Sequence, residues 1–408
     1  MKPDVVHPVR FLRALLGLVL AALALVVAGC VTTDKQATSS SAELPFEQAV
    51  AQATDGLVAQ TQKLPAFLAR VESKLGKRGV VLDPMLDAAS GQQTNATQLL
   101  ERRVSERMTA KFENIEILPF QSANLSRAQY LLTGTMTRNL ASGQSKTALQ
   151  INLALTELKS GQVVAQASAV ARDEALDHTP MRVYQDSPVL VKDKVIEGYV
   201  RTSATPPGKA ADSYYFERVA VATVISDANA LYNAERYQES LAKYREAGGL
   251  VGGDQLRTLN GIYLANAKLG RTPEAEQAFG NIVAYGLRFN QLGVKFLFNP
   301  GSTSFWSDAR VSGAYAMWLR QIAKEAGSAK VCMKIVGHTS RTGSEQTNDT
   351  LSVQRATVIQ QRLAAESPAV AARVKPSGMG FRENIVGSGS DNAVDALDRR
   401  VEFKVEPC

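Results

Sequence analysis

The residues with most to say about chemistry lie near the C-terminus: Gly337-His338-Thr339-Ser340-Arg341-Thr342-Gly343, followed by Asn348, Leu351, Ser352 and Arg355. A strand, Val331 to Val336, is expected to run into this loop, and the loop to open a helix from Asn348 or Thr350 to Ala365. With Leu351 facing the core, the same helical face recurs at Arg355, Val358, Ile359 and Arg362. A permanent charge therefore stands where the period calls for an apolar group. Arg is rarely buried unless paired. Two partners fit Arg355: an internal carboxylate such as Asp398, or an external one held bidentately in the mouth of the loop. Gly337 and Gly343 suit backbone shapes that a side chain would forbid. His338 either touches a ligand or hydrogen-bonds within the loop.

The elements that must position these groups follow from the flanking sequence. Val294 to Phe298 reads as a strand, Asn299-Pro300-Gly301-Ser302 as a turn, and Ser307 to Ala326 as a helix burying Ala314, Met317, Trp318 and Ile322. Beyond the Arg355 helix, a strand after Pro376 ends at Gly378-Met379-Gly380, a Gly/Ser/Asp/Asn loop spans Gly387 to Asn392, and Arg399-Arg400 leads into an alternating strand. Together with the Gly-His-Thr loop, Asn348, Leu351-Ser352 and Arg355-Ala356, this order resembles the OmpA-like peptidoglycan-binding domain, over about Val294 to Val405. The resemblance implies a layered α/β sandwich that holds the diamino acid of the peptidoglycan stem non-covalently. It implies Thr339, Ser340, Asn348, Leu351, Arg355 and Arg399 as ligand-binding residues. The family carries an Asp after Gly-His-Thr, for the ligand's ammonium, where this chain has Ser340. A hydroxyl brings no charge, so the grip should weaken by about tenfold, with Glu345 or Asp349 as possible substitutes.

At the other end, Lys2, Arg10 and Arg13 precede an apolar run from Leu15 to Ala28, then Gly29-Cys30. The pattern is that of an export signal, and its apolar run is too short for a comfortable membrane span. The small residues before Cys30 resemble the lipobox of bacterial lipoproteins. That resemblance implies cleavage after residue 29, lipidation of Cys30 and, with Val31 next, an outer-membrane address. Several acyl chains anchor firmly where one does not. Of the three cysteines, Cys332 and Cys408 remain, either as a disulfide in an oxidising periplasm or as two thiols. Loss of the signal lowers the net charge from +7 to +5, since it carries three basic residues and Asp4. A mildly basic chain suits an anionic wall or membrane surface, and its scattered cations make no nucleic-acid footprint.

Between the ends, residues 30–42 read as a polar tether and 43–202 as an α+β domain with helices on one face of a sheet. Its markers are a helix from Phe46 to Leu75 broken near Pro65, a buried strand Gly79 to Leu82, and a helix striped by Leu99, Leu100, Val104, Met108 and Phe112. A hairpin of Thr147 to Leu158 with Val163 to Val170 follows a strand at Tyr130 to Met136. This part resembles the small domain of lipoproteins that activate penicillin-binding proteins, a fold shared with the curli secretion lipoprotein. Residues 203–213 are Pro/Gly-rich and read as a linker. From 214 to 289 the period is helical, with Glu239 echoed by Glu274 and Tyr244 by Phe279. The offset resembles that of tetratricopeptide repeats, and two copies need a neighbour to lean on. They serve either to dock a protein partner or as a spacer packed on the domain at 290–408. No paired-carboxylate or Ser/His set is supported by context, His178 sits alone, and the reading expects no catalysis, cofactor or metal. It leaves two functions: a lipid-anchored tether between outer membrane and wall, or a regulatory or assembly factor localised by the wall-binding domain.

Overall fold

A computed structural model describes residues 43–62, 77–112, 114–138, 148–173, 176–299, 301–386, 389 and 394–408. The signal, Cys30 and the tether, the second half of the helix expected to reach Leu75, and most of the Gly387 to Asn392 loop lie outside them. Among the described residues no helix is long and apolar enough to cross a membrane.

Helix α1 (Phe46–Thr61) precedes strands β1 (Arg78–Leu82) and β2 (Leu86–Asp87) and helix α2 (Asn95–Lys111). The start of α2 is set by a capping box in which Thr94 and Thr97 satisfy each other's backbone N–H. Its buried stripe is Leu100, Val104 and Met108, one position per turn, while Leu99 is half-buried. Strands β3 (Ile115–Leu118), β4 (Ala128–Arg138), β5 (Ala148–Glu157) and β6 (Val163–Arg172) complete a sheet ordered β3-β1-β4-β5-β6, with β2 beside β4. The β5–β6 hairpin is antiparallel, and Leu149, Ile151, Leu153 and Leu155 point into one core with α1 and α2.

Helices cover both faces of this sheet, not one. Helix α3 (Lys194–Ser203) lays Val195, Ile196 and Tyr199 against Val81 and Leu131 on the side away from α1 and α2. The cause is legible in β1 and β4: consecutive residues Val80-Val81 and Leu131-Leu132 are all fully buried, as in strands covered on both sides. Here β1 is parallel to both β3 and β4, which requires crossovers such as α2. The segment at 203–213 is pinned to the β5–β6 turn, where Val163 N–H donates to Lys209 O (2.9 Å) and Ala211 N–H to Gly161 O (2.8 Å).

Four helices follow: α4 (Val219–Asn233), α5 (Tyr237–Gly249), α6 (Leu256–Lys268) and α7 (Thr272–Phe289). The turns after α4 and α6 are built alike. Arg236 N–H donates to Leu231 O and Arg271 N–H to Asn266 O, and both turns pass through the left-handed region, at Glu235 (φ 62°) and Gly270 (φ 70°). The pair leans on the C-terminal part: Phe279 of α7 stacks on Trp318 (centroids 5.5 Å apart), and Trp318 Nε1 donates to the Tyr263 hydroxyl at 2.9 Å.

The C-terminal sheet is ordered β7-β10-β8-β9, from β7 (Leu292–Val294), β8 (Cys332–Gly337), β9 (Val374–Gly378) and β10 (Val401–Glu406). Helices α8 (Tyr315–Ala329) and α9 (Glu345–Glu366) cover one face, packing Ile322, Ala356, Ile359 and Leu363 on Met333, Ile335 and Phe403. Pro376 is tolerated because β9 is an edge strand. The strand expected at Val294 to Phe298 instead begins at Leu292 and stops at Val294. Lys295 N–H is drawn to Pro188 O (2.8 Å) and Leu297 N–H to the Tyr315 hydroxyl (3.0 Å), and Phe296 joins the aromatic layer beside Tyr315 and Trp318. Cys332 and Cys408 form a disulfide that ties the end of the chain to the start of β8.

Candidate functional site

The Gly-His-Thr loop leaves the end of β8 and is fastened to the end of β9 and to α9. Met379 N–H donates to Gly337 O (3.0 Å), Thr339 N–H to Gly380 O (2.9 Å), and Gly380 N–H to Ser352 Oγ (3.0 Å). The helix crosses so closely that a Cβ on Gly337 would lie 2.1 Å from Ser352 O, and one on Gly378 2.1 Å from Ser352 Oγ. Gly337 is thus required by close approach, whereas Gly343 (φ +91°) is required by its backbone conformation.

Helix α9 starts at Glu345, three residues before the expected position, because Ser344 caps it by accepting from Thr347 N–H. Asn348 is 4% exposed and spends its amide on the loop, donating to Thr342 O (2.9 Å) and Ser344 O (3.0 Å). It braces the loop rather than facing outward. The buried face of α9 is Asn348, Ser352, Arg355, Ala356, Ile359 and Leu363. Leu351 lies half-buried at its edge, and Arg362 is exposed with its guanidinium over Phe305. Thr339 and Ser340 are both buried, at 1% and 6% exposure.

Arg355 is 3% exposed. Its Nε donates to Ser302 O (3.1 Å) and its Nη2 to Asn299 O (3.3 Å), and its guanidinium carbon stands 5.0 Å from the centre of the Phe298 ring. The turn at 299–302 therefore helps to seat the guanidinium through carbonyls and an aromatic face. Asp398 accepts from Ile385 N–H (2.6 Å) and Val386 N–H (3.0 Å). Glu345 and Asp349 are both engaged by Arg382, at 3.2 and 2.6 Å.

On the face away from α8 and α9, Arg400 is buried and chelates Glu402 Oε1 through Nη2 (2.6 Å) and Nε (2.7 Å), with a further bond to Glu383 O. Arg399 is half-buried. His338 is 1% exposed, and burial together with the Arg400 charge pushes its pKa down to about 3. Its ring nitrogens approach Glu383 (4.0 Å) and Glu402 (3.7 Å). The carbonyls of Asn299 and Ser302 carry no mark in the sequence as arginine anchors. The Arg400–Glu402 pair had a signal, since residues two apart on a strand share a face.

A model of the OmpA family matches residues 297–396. That segment is an OmpA family domain. Similar solved structures include the peptidoglycan-associated lipoprotein of Burkholderia pseudomallei (23% identity, 27% of this chain and 88% of that one, TM-score 0.24). An outer membrane protein of Borrelia burgdorferi (22%, 28% and 88%, TM-score 0.21) and the periplasmic domain of Helicobacter pylori MotB (18%, 28% and 76%, TM-score 0.23) are also similar. No curated protein matches the chain. The Gly-His-Thr loop, α9 with Arg355 and the 299–302 turn all fall inside the OmpA family domain.

Outside that domain, the buried acids hold the fold together. Asp83 accepts from Tyr215 O–H (2.5 Å), and burial raises its pKa to about 7. Asp193 caps α3 and also accepts from Leu256 N–H (3.0 Å) at the start of α6, joining the sheet domain to the helical pair. His178 is not a lone surface residue: it pairs with Asp173 (3.0 Å), which also holds Arg138 (2.7 Å).

Proposed function

We propose that the chain binds peptidoglycan non-covalently through its OmpA family domain. In this reading Arg355 pairs with a carboxylate of the stem's diamino acid, and Thr339, Ser340 and the loop braced by Asn348 receive its amine end. Leu351 and Arg399 flank the site. The observation that carries the reading is Arg355 itself, a buried permanent charge seated by carbonyls in the helix that follows the Gly-His-Thr loop. Cys30, lipidated, anchors the chain in the outer membrane, which makes it a tether and not an enzyme. The test is co-sedimentation of residues 43–408 with isolated sacculi, with free diaminopimelate as competitor. The whole described chain is needed because Trp318 packs on Tyr263 and Phe279 of the helical pair. Binding that the competitor displaces, and that Arg355→Ala weakens by about 10–100-fold, supports the reading. Wild-type protein left in the supernatant sinks it.

The regulatory alternative draws on one contact. Arg138 of β4 donates to Val386 O (3.5 Å), so the sheet domain touches the segment that follows β9. If the N-terminal domain acts through that contact, Arg138→Ala changes the envelope phenotype while sacculus binding stays unaltered.

A further inference from the structure

Wall binding leaves one buried group without an assignment. His338 is 1% exposed, and neither ring nitrogen has a hydrogen-bond partner. Buried polar atoms left in that state are rare in native proteins. Its two nitrogens are aimed at carboxylates on neighbouring elements: Nδ1 lies 4.0 Å from Glu383 Oε2, and Nε2 lies 3.7 Å from Glu402 Oε1. One donor atom from each of the three lies within 4.8 Å of the other two. That is too far for hydrogen bonds to the ring. Donors around an ion, on bonds of about 2.0 Å in tetrahedral array, stand roughly 3.3 Å apart, so binding would draw this set inward.

A tethered cation already occupies the mouth of this set. Lys404 Nζ sits 3.4 Å from Glu383 Oε2 and 3.3 Å from Glu402 Oε2. Its side chain is 43% exposed and free to swing into solvent, whereas Arg400, 3% exposed, stays on Glu402 Oε1. Exchanging the ammonium for a dication leaves two carboxylates and Arg400 around it, with His338 held neutral by burial, the form that ligates. We infer that His338, Glu383 and Glu402 form a binding site for a divalent cation of the zinc type, with Lys404 as its built-in competitor. One imidazole with two carboxylates suits zinc, cobalt or nickel better than calcium or magnesium, which take all-oxygen sets. Occupied, the site pins the turn that carries Glu383 to β10 and to the residue just before Thr339. The sequence reading expected no metal because the three donors are far apart along the chain and show no ligand spacing.

The experiment is calorimetric titration of the full chain with Zn²⁺ in a Cys30→Ser background, which leaves no thiol outside the disulfide. The expected result is one Zn²⁺ per chain and a Tm that rises with added Zn²⁺. Glu383→Gln, at a 39% exposed side chain where folding is not at stake, should weaken binding by at least the roughly 10–100-fold that loss of a supporting group costs. Lys404→Met should tighten it by about tenfold, the opposite sign. No uptake at millimolar Zn²⁺ overturns the inference, as does uptake that Glu383→Gln leaves unchanged. So does a Lys404→Met chain that binds no tighter than its parent.

Discussion

Two sets of buried charge, one in each half of the molecule, are handled in opposite ways. In the N-terminal half, Asp83 and Asp193 are buried and Asp87 and Glu101 half-buried among hydroxyls and backbone N–H groups, and burial pushes all four carboxyls upward, toward the neutral form. In the C-terminal half, Arg355 and Arg400 are 3% and 4% exposed and cannot shed their charge. Arg400 meets a carboxylate at 2.6 Å, and the contacts of Arg355 include two carbonyls and a ring. The difference teaches where to look for ligand chemistry. A group that neutralises itself has become part of the scaffold, but a charge that must persist, carried by the helix that follows a loop, is equipped to meet another charge.

The sharpest way to break the comparison is at Arg400. If its pairing is structural, Arg400→Met leaves the Glu402 carboxylate only the half-exposed Lys404, and urea denaturation should register a loss of about 3 kcal/mol, with sacculus binding of the folded protein unchanged. A binding defect without a stability defect would make Arg400 the ligand residue and reverse the assignment. The N-terminal side is tested by pH. Asp83 in the folded chain keeps its proton up to about pH 7, whereas the unfolded chain releases it near the ordinary 3.8. Its contribution is therefore present below that value and lost as pH rises toward 7. His338 runs the other way: the unfolded chain takes up a proton near 6.5 and the folded one resists down to about 3, so its contribution is lost as pH falls through that window. Asp83→Asn should make the slope of stability against pH more positive between about 4 and 7, by up to about 1.4 kcal/mol per unit. His338→Asn should make it more negative between about 3 and 6.5 by a similar amount.

How much of this could be read in advance varies with the kind of signal. Alternation marked β5, and the stripe Leu100, Val104, Met108 marked α2, because each faces one environment. The second covered face of the N-terminal sheet was written in Val80-Val81 and Leu131-Leu132, yet a short unbroken apolar run does not say what covers it. In the C-terminal domain the charge at Arg355 stands out against the helical period, and the structure buries it. Its anchors do not stand out, since backbone carbonyls have no residue type. The residue type of Asn348 does not say that its amide also closes the loop; that is seen only in the two bonds to Thr342 O and Ser344 O.

Two smaller effects sharpen the picture. Ser340→Asp restores the charge that the OmpA-like pattern carries after Gly-His-Thr, and sacculus affinity should rise about tenfold, more at low salt than at high. No gain would mean that the ammonium of the ligand is met elsewhere. The smallest concerns the helical pair, where matched turns offer an internal control. Glu235 holds φ 62° at the position where its counterpart Gly270 holds φ 70°. A side chain there costs roughly 1–2 kcal/mol, and a glycine loses part of that advantage to its freer unfolded state. The ion pair of Glu235 with Arg182 joins side chains 62% and 46% exposed and adds little. Glu235→Gly should therefore stabilise the protein by about 0.5–1 kcal/mol, seen as a higher urea midpoint at unchanged slope. A loss instead would mean that the Arg182 contact, which links the helical pair to the segment leading into α3, matters more than the backbone strain it imposes.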